Sequence, residues 1–157
     1  MLIPERIALA REGKLPMVVR RMPSGWAVLG DEQFLEGYSV LLADPLVPDL
    51  TDLDTQARAR FLLDMSLIGE ALMAVTPAYR INYGLLGNFD PWLHAHVMPR
   101  FADESDEYRA LPAWVYPKER RDAMPFSTHR HGSLMAALGG ELDRLLAPPG
   151  SRVSRNG

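Results

Sequence analysis

The sequence contains no cysteine, which excludes disulfide staples, thiolate metal sites and a cysteine nucleophile together. Lysine is nearly absent as well: of 17 basic residues only Lys14 and Lys118 are lysine and the other 15 are arginine. That bias suits bidentate anion recognition, although codon usage alone also produces it. No stretch approaches the roughly 18 consecutive apolar residues of a membrane span. The first fifteen residues, interrupted by Glu5, Arg6, Arg11 and Glu12, lack the apolar centre of a signal peptide, so a cytoplasmic location is expected and no membrane partner. No GxxxxGK[ST], GxGxxG or GxSxG pattern occurs, which leaves P-loop, Rossmann and serine-hydrolase chemistry without a foothold. A net charge of -3 and a pI near 5.8 disfavour a nucleic-acid polymer as partner, while a small anion in a locally positive pocket stays open.

What is present fits one globular domain. The chain has 157 residues, 47% apolar and 24% charged, ordinary values for a folded unit of this size. We place a single domain at 1–147 and a frayed C-terminal tail at 148–157. Pro4 opens a short helix that Gly13 closes. Residues 17–22 and 26–29 are β-prone runs around the turn signal Pro23-Ser24-Gly25, and residues 38–42 form a third run. In 55–75 the apolar positions Phe61, Met65, Ile68, Leu72 and Val75 recur at helical spacing, which predicts the main helix. Strands follow at 79–86 and 92–98, then a charged, proline-rich stretch. Leu134, Leu138, Leu142 and Leu145 predict a final helix despite Gly139 and Gly140. The expected class is α+β with a mainly antiparallel sheet.

Two of the four histidines fall at His94 and His96 in the strand 92–98. Side chains alternate along a strand, so Trp92, His94, His96 and Met98 share one face while Leu93, Ala95, Val97 and Pro99 fill the other. The wholly apolar set is the core face. Two imidazoles therefore stand side by side, roughly 6.6–7 Å apart at Cα, on a face free for chemistry. Two chemistries use such a pair. One is metal chelation, with Asp90, His129 or His131 as further ligands. The other is nucleophilic attack on phosphorus by a neutral imidazole, with neighbouring groups meeting the anionic oxygens. Around the pair, Arg100 and Arg80 are equally phosphate contacts or surface pairs. Trp26 reads as packing, and His129-Arg130-His131 as a solvated stretch before the last helix.

The run Gly87-Asn88-Phe89-Asp90-Pro91-Trp92-Leu93-His94-Ala95-His96-Val97-Met98-Pro99-Arg100 resembles the signature of the histidine triad (HIT) family, where a glycine and an amide residue precede alternating histidines and a terminal Pro-Arg. Tyr79-Arg80-Ile81-Asn82-Tyr83-Gly84 resembles the strand before that signature. Gly37-Tyr38-Ser39-Val40-Leu41-Leu42 resembles the strand that many members enter through Gly-His. The likeness spans roughly 17–100 and points to bacterial HIT-like proteins related to dinucleoside polyphosphate hydrolases. It implies a five-stranded antiparallel sheet with one long helix and a C-terminal helix. The implied activity is that of a hydrolase or nucleotidyl transferase. Its substrates would be dinucleoside polyphosphates such as diadenosine tetraphosphate, or nucleoside phosphoramidates, taken through a covalent nucleotidyl-histidine.

Carried over by position, the resemblance makes His94 the nucleophile and sets His96 against the phosphate or leaving group. It assigns Asn88 to phosphate oxygens and Asp31 to the ribose hydroxyls at a spacing one residue short. It also implies a homodimer. No resident cofactor is required; Mg²⁺ would arrive on a polyphosphate substrate, since no dedicated carboxylate site for it is evident and no metal ligands are assigned. Two positions depart from the pattern: Trp92 replaces the first histidine and Tyr38 replaces the histidine after glycine. An indole can donate but not accept, so Trp92 alters how His94 is held, and its ring, like that of Trp26, could stack on a nucleobase although packing is the commoner role of an aromatic; Tyr38 can still donate to phosphate. These departures keep two alternatives in play, a nucleotide-binding module with little catalysis and a His-x-His metal-dependent enzyme.

Overall fold

The computed structural model describes residues 1–148; apart from Pro148, the expected tail lies outside the described residues. Five strands form one antiparallel sheet in the order β1-β2-β3-β5-β4. They are β1 (Val18–Met22), β2 (Gly25–Leu29), β3 (Ser39–Ala43), β4 (Arg80–Gly84) and β5 (His94–Arg100). The helices are α1 (Ile3–Arg11), α2 (Thr55–Val75), α3 (Asp106–Arg109), α4 (Lys118–Asp122) and α5 (Thr128–Leu146). The α+β architecture is thus the expected one. Among the described residues no helix is long and apolar enough to cross a membrane.

Period-2 alternation divides the strands between two apolar clusters. Ala27, Leu29, Leu41, Ala43, Ala95 and Val97 face α2 and α5, meeting Phe61, Ile68 and Leu72 of the former and Leu138 and Leu142 of the latter. The stripe predicted on α2 is the one buried: Phe61, Ile68 and Leu72 are fully enclosed, and Met65 and Val75 pack at its margin. Asp54 caps the helix by accepting from Ala57 N–H at 2.8 Å. On the other face Val28 and Leu42 meet Ile3, Ile7 and Ala10 of α1. This second layer covers only part of the sheet, and the uncovered part bears the histidines.

The sheet and α2 are also tied by a buried carboxylate. Asp64, fully enclosed on α2, accepts from Ser24 N–H at 2.8 Å and from Ser24 Oγ at 2.6 Å. Arg60 lies 3.1 Å from its other oxygen. The β1–β2 turn is thereby fixed over the helix. At Gly25 a Cβ would lie 1.8 Å from the Leu42 carbonyl oxygen, so β2 and β3 approach there as only glycine permits.

The boundaries differ from expectation in three places. Strand β5 begins at His94, not Trp92. Helix α5 begins at Thr128, six residues earlier than the leucine spacing suggests, because Ser127 caps it by accepting from Arg130 N–H at 3.2 Å. The stretch after Arg100 is not simply solvated: it returns across the histidine face of the sheet. Leu35, Met98 and Ala113 form a third apolar cluster beneath it.

Arg100 anchors that return. Its side chain is 3% exposed and its guanidinium binds Glu104 Oε1 and Oε2. It also donates to Asn82 Oδ1 at 2.8 Å and to the Leu111 and Tyr108 carbonyls at 2.6 and 2.8 Å. Burial pushes the Glu104 carboxyl up, but Arg100, the Tyr116 hydroxyl and Phe101 N–H outweigh it and hold the group below the usual range. Arg100 is therefore a structural clamp, neither the phosphate contact nor the surface pair that its place at a strand end suggested. Arg100→Ala leaves a buried carboxylate unpaired, and we expect about 3 kcal/mol of lost stability in urea unfolding; a loss under about 1 kcal/mol would contradict the clamp.

Candidate functional site

His94 and His96 leave β5 on the face away from α2, opposite Leu42 and Val40 of β3 in the register. Their rings meet edge to face, with centroids 4.8 Å apart at 78°. They floor a cleft of about 370 Å³, within the range of small-ligand sites. Its walls come from the start of α1 (Leu2, Ile3, Arg6), from the β2–β3 loop (Asp31, Glu32), and from Phe89, Asp90 and Arg121. Three wider depressions, about 520, 610 and 470 Å³, contain no histidine.

Each histidine is fixed through Nδ1 by a different kind of partner. His94 is nearly buried, and its Nδ1–H donates to the Trp92 carbonyl oxygen at 2.6 Å. A carbonyl only accepts, so Nδ1 carries a proton and the neutral ring has its lone pair on Nε2. Trp92 therefore serves through its main chain, while its indole packs with Trp26 and Val40 against the α1 cluster. His96 Nδ1 lies 2.6 Å from the Tyr38 hydroxyl. Burial, then the charge of Glu32, pushes the phenol up to about 12, with Arg121 acting in opposition. Burial, then His94, lowers His96 to about 4. A protonated phenol facing a neutral imidazole donates to it, which leaves the His96 proton on Nε2. The two rings thus hold opposite tautomers, one presenting a lone pair and the other an N–H.

Tyr38 is itself held by a short loop. Gly37 adopts φ +94°, a conformation open to glycine and strained for other residues. Its N–H donates to Gln33 Oε1 at 2.9 Å, and Gln33 Nε2 donates to the Gly30 and Tyr38 carbonyls at 2.9 and 2.8 Å. Gln33, 1% exposed, staples the turn that aims Tyr38 at His96. Nothing in its sequence surroundings signals this role.

Of the other candidates, Asp31 is in the cleft wall, with both carboxylate oxygens engaged by Arg6 and its side chain 58% exposed. Asn88 is exposed on the 85–93 loop and does not line the cleft; its neighbours do. Asp90 accepts from Ile3 N–H at 2.7 Å and ties the loop to α1, while Phe89 is 92% exposed at the rim. Arg100 lies under the returning segment, outside the cleft. Trp26 is packed, donating to Asp44 at 2.9 Å. Of the stretch read as solvated, His129 and Arg130 are exposed, but His131 is 1% exposed on α5 and stacks on Phe126 at 5.6 Å. Among the described residues no three His, Asp or Glu side chains gather to hold a metal, so His94 and His96 lack the third ligand of a chelating site. Arg121, absent from the sequence reading, enters from α4.

No protein-family model matches the sequence, and no curated protein matches it. Solved structures do. A histidine triad protein from Sinorhizobium meliloti aligns with a TM-score of 0.68 at 22% identity, over 85% of this chain and 93% of that one. A hypothetical histidine triad nucleotide-binding protein from Sulfolobus tokodaii aligns with a TM-score of 0.70 at 12% identity, over 94% and 97%. A zinc-bound histidine triad family protein from Mycobacterium smegmatis aligns with a TM-score of 0.60 at 18% identity, over 85% and 91%. The chain has the histidine triad fold over most of its length.

Because folding disfavours protonated His96, the unfolded chain takes up that proton first. This contribution is complete above about pH 6.5 and is lost as pH falls towards about 4. We expect Tm to drop over that window by the equivalent of roughly 3 kcal/mol, and His96→Gln to lose that part of the dependence. Superimposable pH profiles for the two proteins would contradict the assignment.

Proposed function

We propose that this protein is a HIT-type nucleotide hydrolase or nucleotidyl transferase, with His94 as the nucleophile and dinucleoside polyphosphates or nucleoside phosphoramidates as substrates. The observation that carries the reading is the bond from His94 Nδ1–H to the Trp92 carbonyl. In the neutral ring it puts the lone pair on Nε2, the atom turned to the cleft for attack on phosphorus.

The Nε2 lone pair forms a bond to the α-phosphorus as the bond to the leaving oxygen or nitrogen breaks, and the leaving atom keeps that electron pair. The resulting nucleotidyl-imidazole is cationic, and its retained Nδ1–H still faces the Trp92 carbonyl. His96 Nε2–H, set by Tyr38, meets a non-bridging oxygen during the step. Water then bonds to phosphorus, the P–N pair returns to Nε2, and the surplus proton leaves with solvent. The product is a nucleoside monophosphate. Ile3, Val28 and Leu42 offer an apolar wall for the base, and Asp31 is available to the ribose hydroxyls. A Mg²⁺ ion would enter on the polyphosphate, and it would neutralise phosphate charge there.

A nucleotide-binding module with little catalysis is the competing reading, favoured by Asn88 standing outside the cleft. Turnover of diadenosine tetraphosphate and adenosine 5′-phosphoramidate, with His94→Asn alongside, separates them. We expect the variant to lose roughly 10³-fold or more in kcat, and a denaturation-resistant nucleotide adduct in the wild type only. Nucleotide binding without turnover or adduct would favour the module.

The proposal extends to a homodimer. Strand β4 is a sheet edge, and Tyr79, Tyr83, Leu85, Leu86 and Trp114 are exposed around it, a combination that proteins normally cover. Sedimentation equilibrium should give twice 17.6 kDa; a monomer at about 100 μM would sink this extension.

A further inference from the structure

Arginines from opposite sides line the histidine cleft, and their donors are spent very differently. Arg6 on α1 gives Nε to the Met1 carbonyl and both terminal nitrogens to Asp31. Arg121 on α4 has one partner, Glu32, at 3.4 Å. Its Nε is enclosed and has no acceptor. Both side chains of the Arg121–Glu32 pair are 33% exposed, so solvent and ligands reach it. Arg121 lines the same cleft as Tyr38 and His96, and its charge acts on the Tyr38 hydroxyl. The Glu32 carboxylate occupies a position that a phosphate oxygen can take, since both are bidentate partners for guanidinium.

Of the other carboxylates of the cleft, Asp31 is committed to Arg6, while Asp90 gives one oxygen to Ile3 N–H and leaves the other without a partner. His96, kept neutral by burial, supplies no positive charge. Among the described residues lining the cleft, Arg121 is therefore the cation with donors to spare. It arrives from the segment held across the sheet by Arg100 and paired to the β2–β3 loop through the Glu32–Pro125 bridge.

We propose that Arg121 binds the leaving phosphates and makes the site selective for phosphoanhydrides over phosphoramidates. The proposal rests on the reading of His94 as nucleophile and deepens it. When Nε2 bonds to the α-phosphorus of an anhydride, the breaking P–O bond leaves its electron pair on the bridging oxygen of the departing phosphate chain. That added negative charge is what a guanidinium stabilises. A phosphoramidate departs differently: its nitrogen takes the electron pair and a proton from solvent and leaves as a neutral amine. Arg121 then has no charge to meet.

Calorimetric titration at fixed ionic strength tests the contact independently of turnover, with inorganic tripolyphosphate and adenosine monophosphate as probes. Wild type, Arg121→Gln, Arg121→Lys and the distant control Arg130→Gln are compared after their melting curves are shown to coincide. Arg121→Gln should weaken tripolyphosphate about tenfold or more and adenosine monophosphate less than about twofold, with the lysine variant between. In steady state the same variant should lower kcat/KM for diadenosine tetraphosphate about tenfold and leave that for adenosine 5′-phosphoramidate within about twofold. Failure of tripolyphosphate to bind, equal loss on both probes or both substrates, or an equal effect of Arg130→Gln would overturn the assignment. If wild type turns over neither substrate, the nucleophile reading and the selectivity derived from it fall together. Loss of tripolyphosphate binding in Arg121→Gln would then still show an anion contact.

Discussion

Strand β5 is paired on both sides, by β3 through Ser39 to Leu42 and by β4 through Arg80 to Gly84. That double pairing fixes its register, and a one-residue slip would exchange Ala95 and Val97 with His94 and His96. Core and cleft are in this sense one constraint. The small apolar residues that seat the strand against α2 compel the two imidazoles to face the other way, 4.8 Å apart. The returning segment, the α1 layer and the loop bearing Tyr38 are arranged around that face and leave it open at one place.

The electrostatics follow from a shortage of charge at the floor. Burial keeps His96 neutral and the Tyr38 phenol protonated, so neither ring offers a cation to an incoming phosphate. What they offer is direction: one lone pair and one N–H, each set by its Nδ1 partner. Positive charge is confined to the walls, in Arg6 and Arg121. A chain of net charge -3 can in this way hold an anion without carrying a basic surface.

Much of this was legible in the sequence. The alternation around His94 and His96 and the helical stripe on 55–75 follow from local periodicity, and local periodicity survives into the structure. The resemblance from Gly87 to Arg100 led to the correct fold. Tertiary contact decided the rest. Arg100 reads as a surface cation at a strand end until Glu104 and the 108–111 carbonyls fold over it. His131 looks solvated if the last helix is started at Leu134, but Ser127 starts it earlier and buries that ring on Phe126. Gln33 and Arg121 have no signal at all, because their roles depend on a loop and a segment meeting across the sheet.

The Tyr38–His96 contact has a consequence for molecular recognition. A phenol that stays protonated up to about pH 12 always has a proton to donate, and towards His96 the more acidic O–H donates to the more basic ring nitrogen. In that arrangement the floor of the cleft presents a donor at His96 and an acceptor at His94, and it discriminates by orientation. An inhibitor that places its own hydrogen-bond donor towards His94 and its acceptor towards His96 would fit, while the same scaffold reversed would meet two mismatches.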